Sequence, residues 1–386
     1  MLDTIGDDVK ESLFLLMKKV KEDLDIPEIM EDANITSIYK SKGEKNDLKN
    51  ERGIFSINIF RSLLLKLIYN DEYEIVDSNM SDSNVGGRKR KNIRNHIFIV
   101  NGIINEALKT KNNIDIEILD YRQCFDGMWL DKTINDLYEA GMVNDNLNLI
   151  YKLNEKNKVA VITPHGLTER VEINKIVMQG ENFAPLECSV QVDTYGKECM
   201  EQDKYLFHYR ENVPVPALSM VDDLLLISQC SKDSVMINAF VNAKTNMKKL
   251  QFGEDKCHKI HVGTDKSLCP ELKIEKWKEK EIHRVQTGQS SLTDVYDGKY
   301  IIKEKNQERY LGDIIDCMGR NDSNISKRVD KGHEKIKQVM GYLEDICFGK
   351  FHFTVAKTLR ETVYLPSILL NSESWYSLNK KKLTMF

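Results

Sequence analysis

No apolar run in the 386-residue chain approaches the roughly 20 residues that a bilayer-spanning helix requires, so a membrane protein is not expected. The N-terminus lacks the basic-then-apolar pattern of a secretory signal, which points to an intracellular protein. No C-x-x-C pair occurs either. The eight cysteines (Cys124, Cys188, Cys199, Cys230, Cys257, Cys269, Cys317 and Cys347) are scattered, so reduced thiols are expected and a disulfide framework is not. Cys257, His258, His261 and Cys269 come nearest to a zinc pattern, but their spacing fits no common zinc module, and packing or surface roles are the simpler reading. Charge of one sign is also lacking: 56 Lys and Arg against 60 Asp and Glu leave a net charge of −4. A nucleic-acid partner would therefore have to be met by basic residues concentrated locally. With 41% hydrophobic and 30% charged residues, the balance is that of an ordinary globular protein, long enough for two or three structural units.

What is present reads as alternating helices and strands. Leu13, Leu16, Val20 and Leu24 recur at helical spacing and predict an amphipathic helix ending before Pro27. Asn34 to Lys40 reads as a strand and Ser41 to Asn50 as a lysine-rich loop; Arg52-Gly53-Ile54 then leads into a helix with the stripe Ile57, Phe60, Leu64 and Leu67. A polar loop from Asp77 to Gly87 delivers the densest basic patch, Arg88, Lys89, Arg90, Lys91 and Arg94. Cations at a loop-to-helix junction suit phosphate, a solvated basic face or a localisation signal being the alternatives. Ile93, Ile97, Val100, Ile104 and Leu108 mark the helix that follows.

The apolar run Ile114 to Leu119 closes on Asp120, and a helix with Leu130, Ile134 and Leu137 inward runs to a C-cap at Gly141. Val159 to Ile162 and Val171 to Val177 predict two strands turned around His165-Gly166; after Gln179-Gly180, Pro185 occupies the first turn of a helix reaching about Cys199. Val213 to Leu218 and Leu224 to Ile227 predict a hairpin with Asp222 and Asp223 at its tip. Met236, Phe240, Ala243, Met247 and Leu250 give a helical stripe, and Leu250 to Phe252 with Lys259 to Val262 predict a hairpin turned at Gly253-Glu254-Asp255. This order fits an α+β chain whose antiparallel sheet has helices packed on one face, the split βαβ plan. Thr264 to Glu308 is polar, carries Trp277, and reads as an inserted hairpin or an excursion. Arg309 to Ile315 returns to strand character. Helices follow from Ile325, with Val329, Ile336, Met340, Leu343 and Ile346 available to one face, and from Thr354 towards Leu370.

Asp222-Asp223 at a hairpin tip, with Asp120 closing a neighbouring strand, would form a like-charged cluster that disfavours its own ionisation unless a divalent cation neutralises it. Taken alone, an Asp-Asp pair is as well explained by a surface turn. With an aromatic five residues after Asp120 and lysines near the hairpins, the set matches the needs of phosphoryl transfer to a nucleotide: divalent ions for the attacking hydroxyl and leaving pyrophosphate, and cations for the triphosphate.

The order of the segments adds to this. Asp120-x-x-x-x-Phe125, Gln179-Gly180 with Pro185, Val221-Asp222-Asp223, Leu250 to Lys256, and Tyr310-Leu311-Gly312 resemble the motif series of reverse transcriptases, above all those of non-LTR retrotransposons. Ile38-Tyr39-Lys40 with Gly43, Arg52-Gly53-Ile54 and Gly86-Gly87-Arg88 match that family's fingers, and Ile368 to Trp375 the end of its thumb. The resemblance runs from about Ile35 to Trp375. It implies a right-hand polymerase fold: an N-terminal helical extension at 1–33, fingers at 34–112 and 151–178, a split palm at 113–150 and 179–263, an insertion at 264–308, a junction at 309–322 and a helical thumb at 323–386.

On the resemblance, Asp120 and Asp222 are implied as metal ligands, with Asp223 close by and the Tyr121 carbonyl helping, around two Mg2+ ions for which Mn2+ could substitute. Phe125 matches the aromatic gate that rejects a 2′-hydroxyl, with a core phenylalanine as its alternative. Arg52 matches a triphosphate-binding arginine, and Gln179 and Gly180 a segment touching nucleotide and template. Lys256 falls where the family carries a lysine able to protonate pyrophosphate, a surface lysine being the alternative. Arg88, Lys89, Arg90, Tyr310 and Gly312 are implied as nucleic-acid contacts. The implied partners are an RNA template, a DNA primer, deoxynucleoside triphosphates and other parts of a retrotransposon protein, and the implied location is the nucleus.

Met220, Val221, Cys124 and Ala184 depart from the usual residues of the motifs, without removing a carboxylate. Neither an endonuclease-like block nor a zinc-binding tail is found, and the end at Phe386 carries no stop signal, so a piece of a longer protein or a shortened copy is expected. An RNA-directed DNA polymerase is the first reading. A degenerate copy that grips nucleic acid without turnover is the second, and a nucleotide cyclase sharing the split βαβ plan the third.

Overall fold

The computed structural model describes residues 6–41, 43–45, 47–122, 124–173, 177–209, 213–263, 272–275, 299–347 and 353–369. The chain opens with α1 (Asp7–Asp23), which buries Met17 and Val20 and ends where Leu24 turns left-handed at φ 51°. β1 (Asp32–Tyr39) and β2 (Glu51–Ile57) pair antiparallel, so Arg52-Gly53-Ile54, which leads towards the helix, lies in a strand, and Ile57 ends that strand and does not belong to the helical stripe. α2 (Ile59–Asn79) begins after Asn58, whose side chain accepts the Phe60 amide, and α3 (Ile93–Thr110) begins likewise at Asn92, which accepts Arg94 N.

β3 (Ile114–Asp120) leads to α4 (Cys124–Gly127), α5 (Leu130–Glu139) and α6 (Asp145–Glu155). The periodicity of the sequence hides α6 because asparagines interrupt its apolar positions, yet Leu149, Ile150 and Leu153 are fully buried. β4 (Lys158–Thr163), β5 (Gly166–Leu167) and β6 (Val171–Glu172) follow; β4 pairs parallel with β1, which joins segments about 120 residues apart into one sheet ordered β2-β1-β4-β5. Of the rest of the predicted second strand, Ile173 and Val177 are not in strand conformation and 174–176 lie outside the described residues.

α7 (Ala184–Met200) carries Pro185 in its first turn. Beyond it lie β7 (His208–Tyr209), β8 (Val213–Pro214), β9 (Leu218–Met220), β10 (Asp223–Ser228), α8 (Ser231–Met247) and β11 (His258–Val262). β12 (Lys273–Glu275) pairs with β13 (Lys299–Ile301), and β14 (Lys303–Glu304) runs parallel to β11. Trp277 lies outside the described residues.

The predicted strand Arg309 to Ile315 is a hairpin, β15 (Gln307–Tyr310) and β16 (Asp313–Asp316), turned at Leu311 and Gly312 with φ of 47° and 88°. A helix over Asp322–Cys347 buries Ile325 and Val329, and the last described helical stretch runs from Phe353 to Leu369. The side chains of Met340, Leu343 and Ile346, and the segment Leu370 to Trp375, lie outside the described residues.

The central sheet is ordered β14-β11-β3-β10-β9. Alternation along β3 explains its place: Ile114, Ile116 and Ile118 join one apolar cluster with Leu225, Ile227, Ile260, Val262 and the α3 residues Ile97, Val100 and Ile104. Leu119, Leu224 and Leu226 join another with residues of α7 and α8. Helices therefore cover both faces, which corrects the one-faced plan. The expected hairpin between Leu250 to Phe252 and Lys259 to Val262 does not form: β11 pairs with β3, and Phe252 makes a lone bridge to Tyr121. The stripe expected on α8 is also rotated, since Met236 is exposed while Ser234, Ile237, Asn238, Val241 and Asn242 are buried. No described helix is long and apolar enough to cross a membrane.

Candidate active site

β3 and β10 end together. Asp120 and Asp223 are direct partners across the strands, and the β9–β10 turn of Val221 and Asp222 projects from the same end. Val221 adopts φ 54°, a left-handed conformation that a β-branched residue takes only where its surroundings impose it. Those surroundings include the segment Ser83 to Gly86. Ser83 and Val85 exchange backbone hydrogen bonds with Ser219 (3.0 Å each), Asn84 Nδ2 donates to the Ser189 carbonyl, and Ser189 Oγ donates to that of Gly86. A Cβ on Gly86 would lie 2.3 Å from Val221 N, so only glycine lets this segment press against the turn.

Like charge and burial shape the carboxylates. Burial, then Asp222 and Asp120, push the Asp223 carboxyl up to about 7. Burial raises Asp120 as well, and Asp222 adds to it, although Lys256 pulls the other way. Lys256 Nζ donates to Asp120 Oδ1 (2.7 Å) and to the Tyr121 carbonyl (3.3 Å). The loop carrying it is fixed to the strand end: Gly253 N donates to Asp120 O and Arg122 N to Gln251 O, both at 2.8 Å, while Phe252 stacks on Tyr121 with ring centroids 4.7 Å apart.

An open cleft of about 650 Å³ lies beside this cluster and is lined by Arg52, Tyr121, Phe125, Gln179, Asp222 and Lys256, together with Lys40 of the Ile38-Tyr39-Lys40 segment and Arg122, for neither of which the resemblance implies a role. Arg52 comes from β2 and Phe125 from α4. Gln179 is held against β2 where its carbonyl accepts Phe55 N (2.8 Å), and Gly180 (φ 124°) passes so near that a Cβ would lie 2.8 Å from Phe55 O. Residues distant in the chain thus share one wall. Among the described residues, however, no three His, Cys, Asp or Glu side chains are grouped so as to hold a metal ion as they stand, and the cation on Asp120 is Lys256.

Other expected contacts are placed differently. Tyr121 offers the cleft its backbone, since its ring is fully buried against Phe252 and Tyr195; a substrate contact by that ring is excluded. Arg88, expected as a nucleic-acid contact, is buried, paired with Asp77 (2.6 Å) and donating to the carbonyls of Asp77 and Asn84, so its guanidinium is engaged in shaping its own loop. Tyr310 is also a core residue, its hydroxyl 3.2 Å from His96 Nδ1. Lys89 and Arg90 are exposed, Lys89 lying 4.2 Å from the centre of the Tyr73 ring. Gly312 forms the β15–β16 turn, and its carbonyl accepts Arg328 (3.0 Å).

Residues behind the cleft escape notice in the sequence because nothing local marks them. Arg61 is fully buried on α2, pairing with Glu181 (2.5 Å) and donating to Asn154 and Asn157 (2.8 Å each) and to Leu153 O (2.9 Å). It ties α2 and α6 to the residue after Gly180. A lone arginine inside an apolar stripe is the only signal.

No family model and no curated protein matches the chain. Among solved structures it is similar to the apo telomerase of Candida tropicalis truncated from its C-terminal domain, at 11% identity and TM-score 0.48, over 80% of this chain and 59% of that one. The apo telomerase of the same organism gives 11%, 0.48, 82% and 53%, and its complex with the TWJ fragment of telomeric RNA 11%, 0.47, 93% and 64%. The chain spans less than two thirds of each. Assignment therefore rests on the residues of the site.

Proposed function

We propose that the chain is a template-directed nucleotidyltransferase, an RNA-directed DNA polymerase that extends a primer 3′-hydroxyl with deoxynucleotides. The observation that carries this reading is the meeting of Asp120 and Asp223 as direct cross-strand partners beside Asp222, with Arg52, Phe125, Gln179 and Lys256 around the same cleft. Hard carboxylate oxygens crowded at a strand end, with a cation already drawn onto one of them, are a donor set suited to Mg2+, with Mn2+ as substitute. Asp120, Asp222, Asp223 and the Tyr121 carbonyl would hold it. A bound divalent ion would supply charge neutralisation for the attacking and leaving oxygens. The chain's own residues would do the rest: Arg52 holds the triphosphate, Phe125 lies under the sugar, and Gln179 and Gly180 flank the template side. An RNA template, a DNA primer and an origin in a retrotransposon belong to this proposal through the resemblance of the motif order.

The test is primer extension. Purified protein with an RNA template, an annealed DNA primer, deoxynucleotides and Mg2+ should lengthen the primer, and Asp222→Asn should lower the rate by at least about a hundredfold. Binding of the primed template without extension would replace this reading by the non-catalytic one, and consumption of free nucleotide without a primer would favour a cyclase.

A further inference from the structure

The carboxylate cluster has a cation of its own. Lys256 Nζ is 2.7 Å from Asp120 Oδ1 and 3.3 Å from the Tyr121 carbonyl oxygen, the two oxygens that an ion shared with the Asp222 turn would use. Its position is built. Two backbone hydrogen bonds of 2.8 Å and the Phe252–Tyr121 stack pin the loop from Gln251 onwards to the end of β3, and Lys256 N closes a turn on Gly253 O. The side chain itself is half exposed at 51%, so the ammonium can leave without abandoning a buried site. An ammonium and a divalent ion drawn to the same oxygens repel each other, so each weakens the other's hold on them.

We propose that Lys256 is a resident counter-cation that competes with a divalent ion for Asp120 and the Tyr121 carbonyl, so that in the metal-free site the lysine offsets part of the cluster's charge and the ion's arrival swings it into the cleft. The identity of the ion rests on the polymerase reading; the competition does not. It follows that the ion binds more weakly than a bare carboxylate cluster would bind it, and that the displaced ammonium is released on the side lined by Arg52 and Gln179, where the phosphates of a nucleotide would lie.

The test is a Mn2+ titration of the metal-free chain, reading the loss of the free-ion EPR signal, with no nucleotide present. Lys256→Gln should bind Mn2+ about three- to tenfold more tightly than wild type, because one positive charge leaves the ligand set. Lys256→Arg, which keeps the charge, should not gain. Asp120→Asn and Asp222→Asn should bind weakly, and thermal melts of the Lys256 variants should match wild type. If Lys256→Gln binds no more tightly while the aspartate variants still lose the ion, the competition is refuted and the carboxylate site stands. If the aspartate variants bind as wild type does, or no form binds, the site itself is refuted and the competition with it.

Discussion

Glu117 sits in the middle of β3, fully buried, and accepts hydrogen bonds from Ser234 Oγ (2.9 Å) and Asn238 Nδ2 (2.8 Å) on α8. Burial pushes its carboxyl up to about 8, more than those two donors and Lys259 can offset. The folded state therefore holds a proton that the unfolded chain releases near pH 4.5, and the stabilisation present below that pH is lost progressively as pH rises through about 8. Glu117→Gln, with the Asn238 amide turned to match, should flatten this slope. In urea unfolding the variant should gain on wild type by on the order of 3 kcal/mol between pH 5 and pH 8.5. A constant difference across that range would mean Glu117 is ionised throughout. At the cleft, the polymerase reading makes Phe125 the residue that would choose between sugars. Phe125→Ala should raise ribonucleotide incorporation relative to deoxynucleotide on the order of tenfold or more, measured as the ratio of kcat/KM values. An unchanged ratio would leave Phe125 a packing residue.

At the scale of elements, the site depends on contacts that no short motif announces. The Ser83 to Gly86 segment supports the Asp222 turn only because Gly86 has no side chain: its Cβ would meet Val221 N at 2.3 Å and Ser189 Oγ at 2.7 Å. Gly86→Ala should cost about 1 to 3 kcal/mol in denaturant unfolding and reduce extension beyond what the lower stability explains, because the displaced backbone is that of the turn. Arg61 is the second support. Truncating it leaves Glu181 buried without its partner, so Arg61→Ala should cost about 3 to 5 kcal/mol, and Glu181→Gln, which keeps an acceptor, distinctly less. Equal losses would mean that the Glu181 charge, and not merely its acceptor oxygen, is what Arg61 needs.

These two supports mark where the sequence stops being legible. The strand ends at Asp120 and Asp223 can be read, because alternation and a charged turn are local signals. The pairing of β11 with β3 instead of with Leu250 to Phe252, and the rotation of α8, cannot: what decides them is the acidic face of β3, where Glu117 needs Ser234 and Asn238, and that face belongs to another segment. Arg88 misleads for the same reason, since its partner Asp77 lies 11 residues upstream across a loop whose shape the sequence does not display.

The whole molecule carries a net charge of −4, so attraction of a polyanion has to come from where the cations stand. The helix Asp322–Cys347 exposes Lys327, Lys331 and Lys335 at spacings of four residues, one face of the helix, while Arg328 is turned in onto Asp313 Oδ1 at 2.8 Å. Lys327 and Lys331 line a cleft with Arg309 and Gly312 of the β15–β16 hairpin, and Arg309 lies near enough to Asp223 to lower its carboxyl pKa against the effect of burial. This places a row of cations leading away from the carboxylates. If phosphates follow that row, Lys327→Gln, Lys331→Gln and Lys335→Gln together should weaken binding of a primed template and lower the slope of log affinity against log salt by about two to three, roughly one for each lysine replaced. Replacing Arg328 should instead lower stability by releasing the buried Asp313, with little change in that slope. Fluorescence anisotropy over a salt series separates the two, and a slope indifferent to the lysines would move the nucleic-acid path elsewhere on the surface.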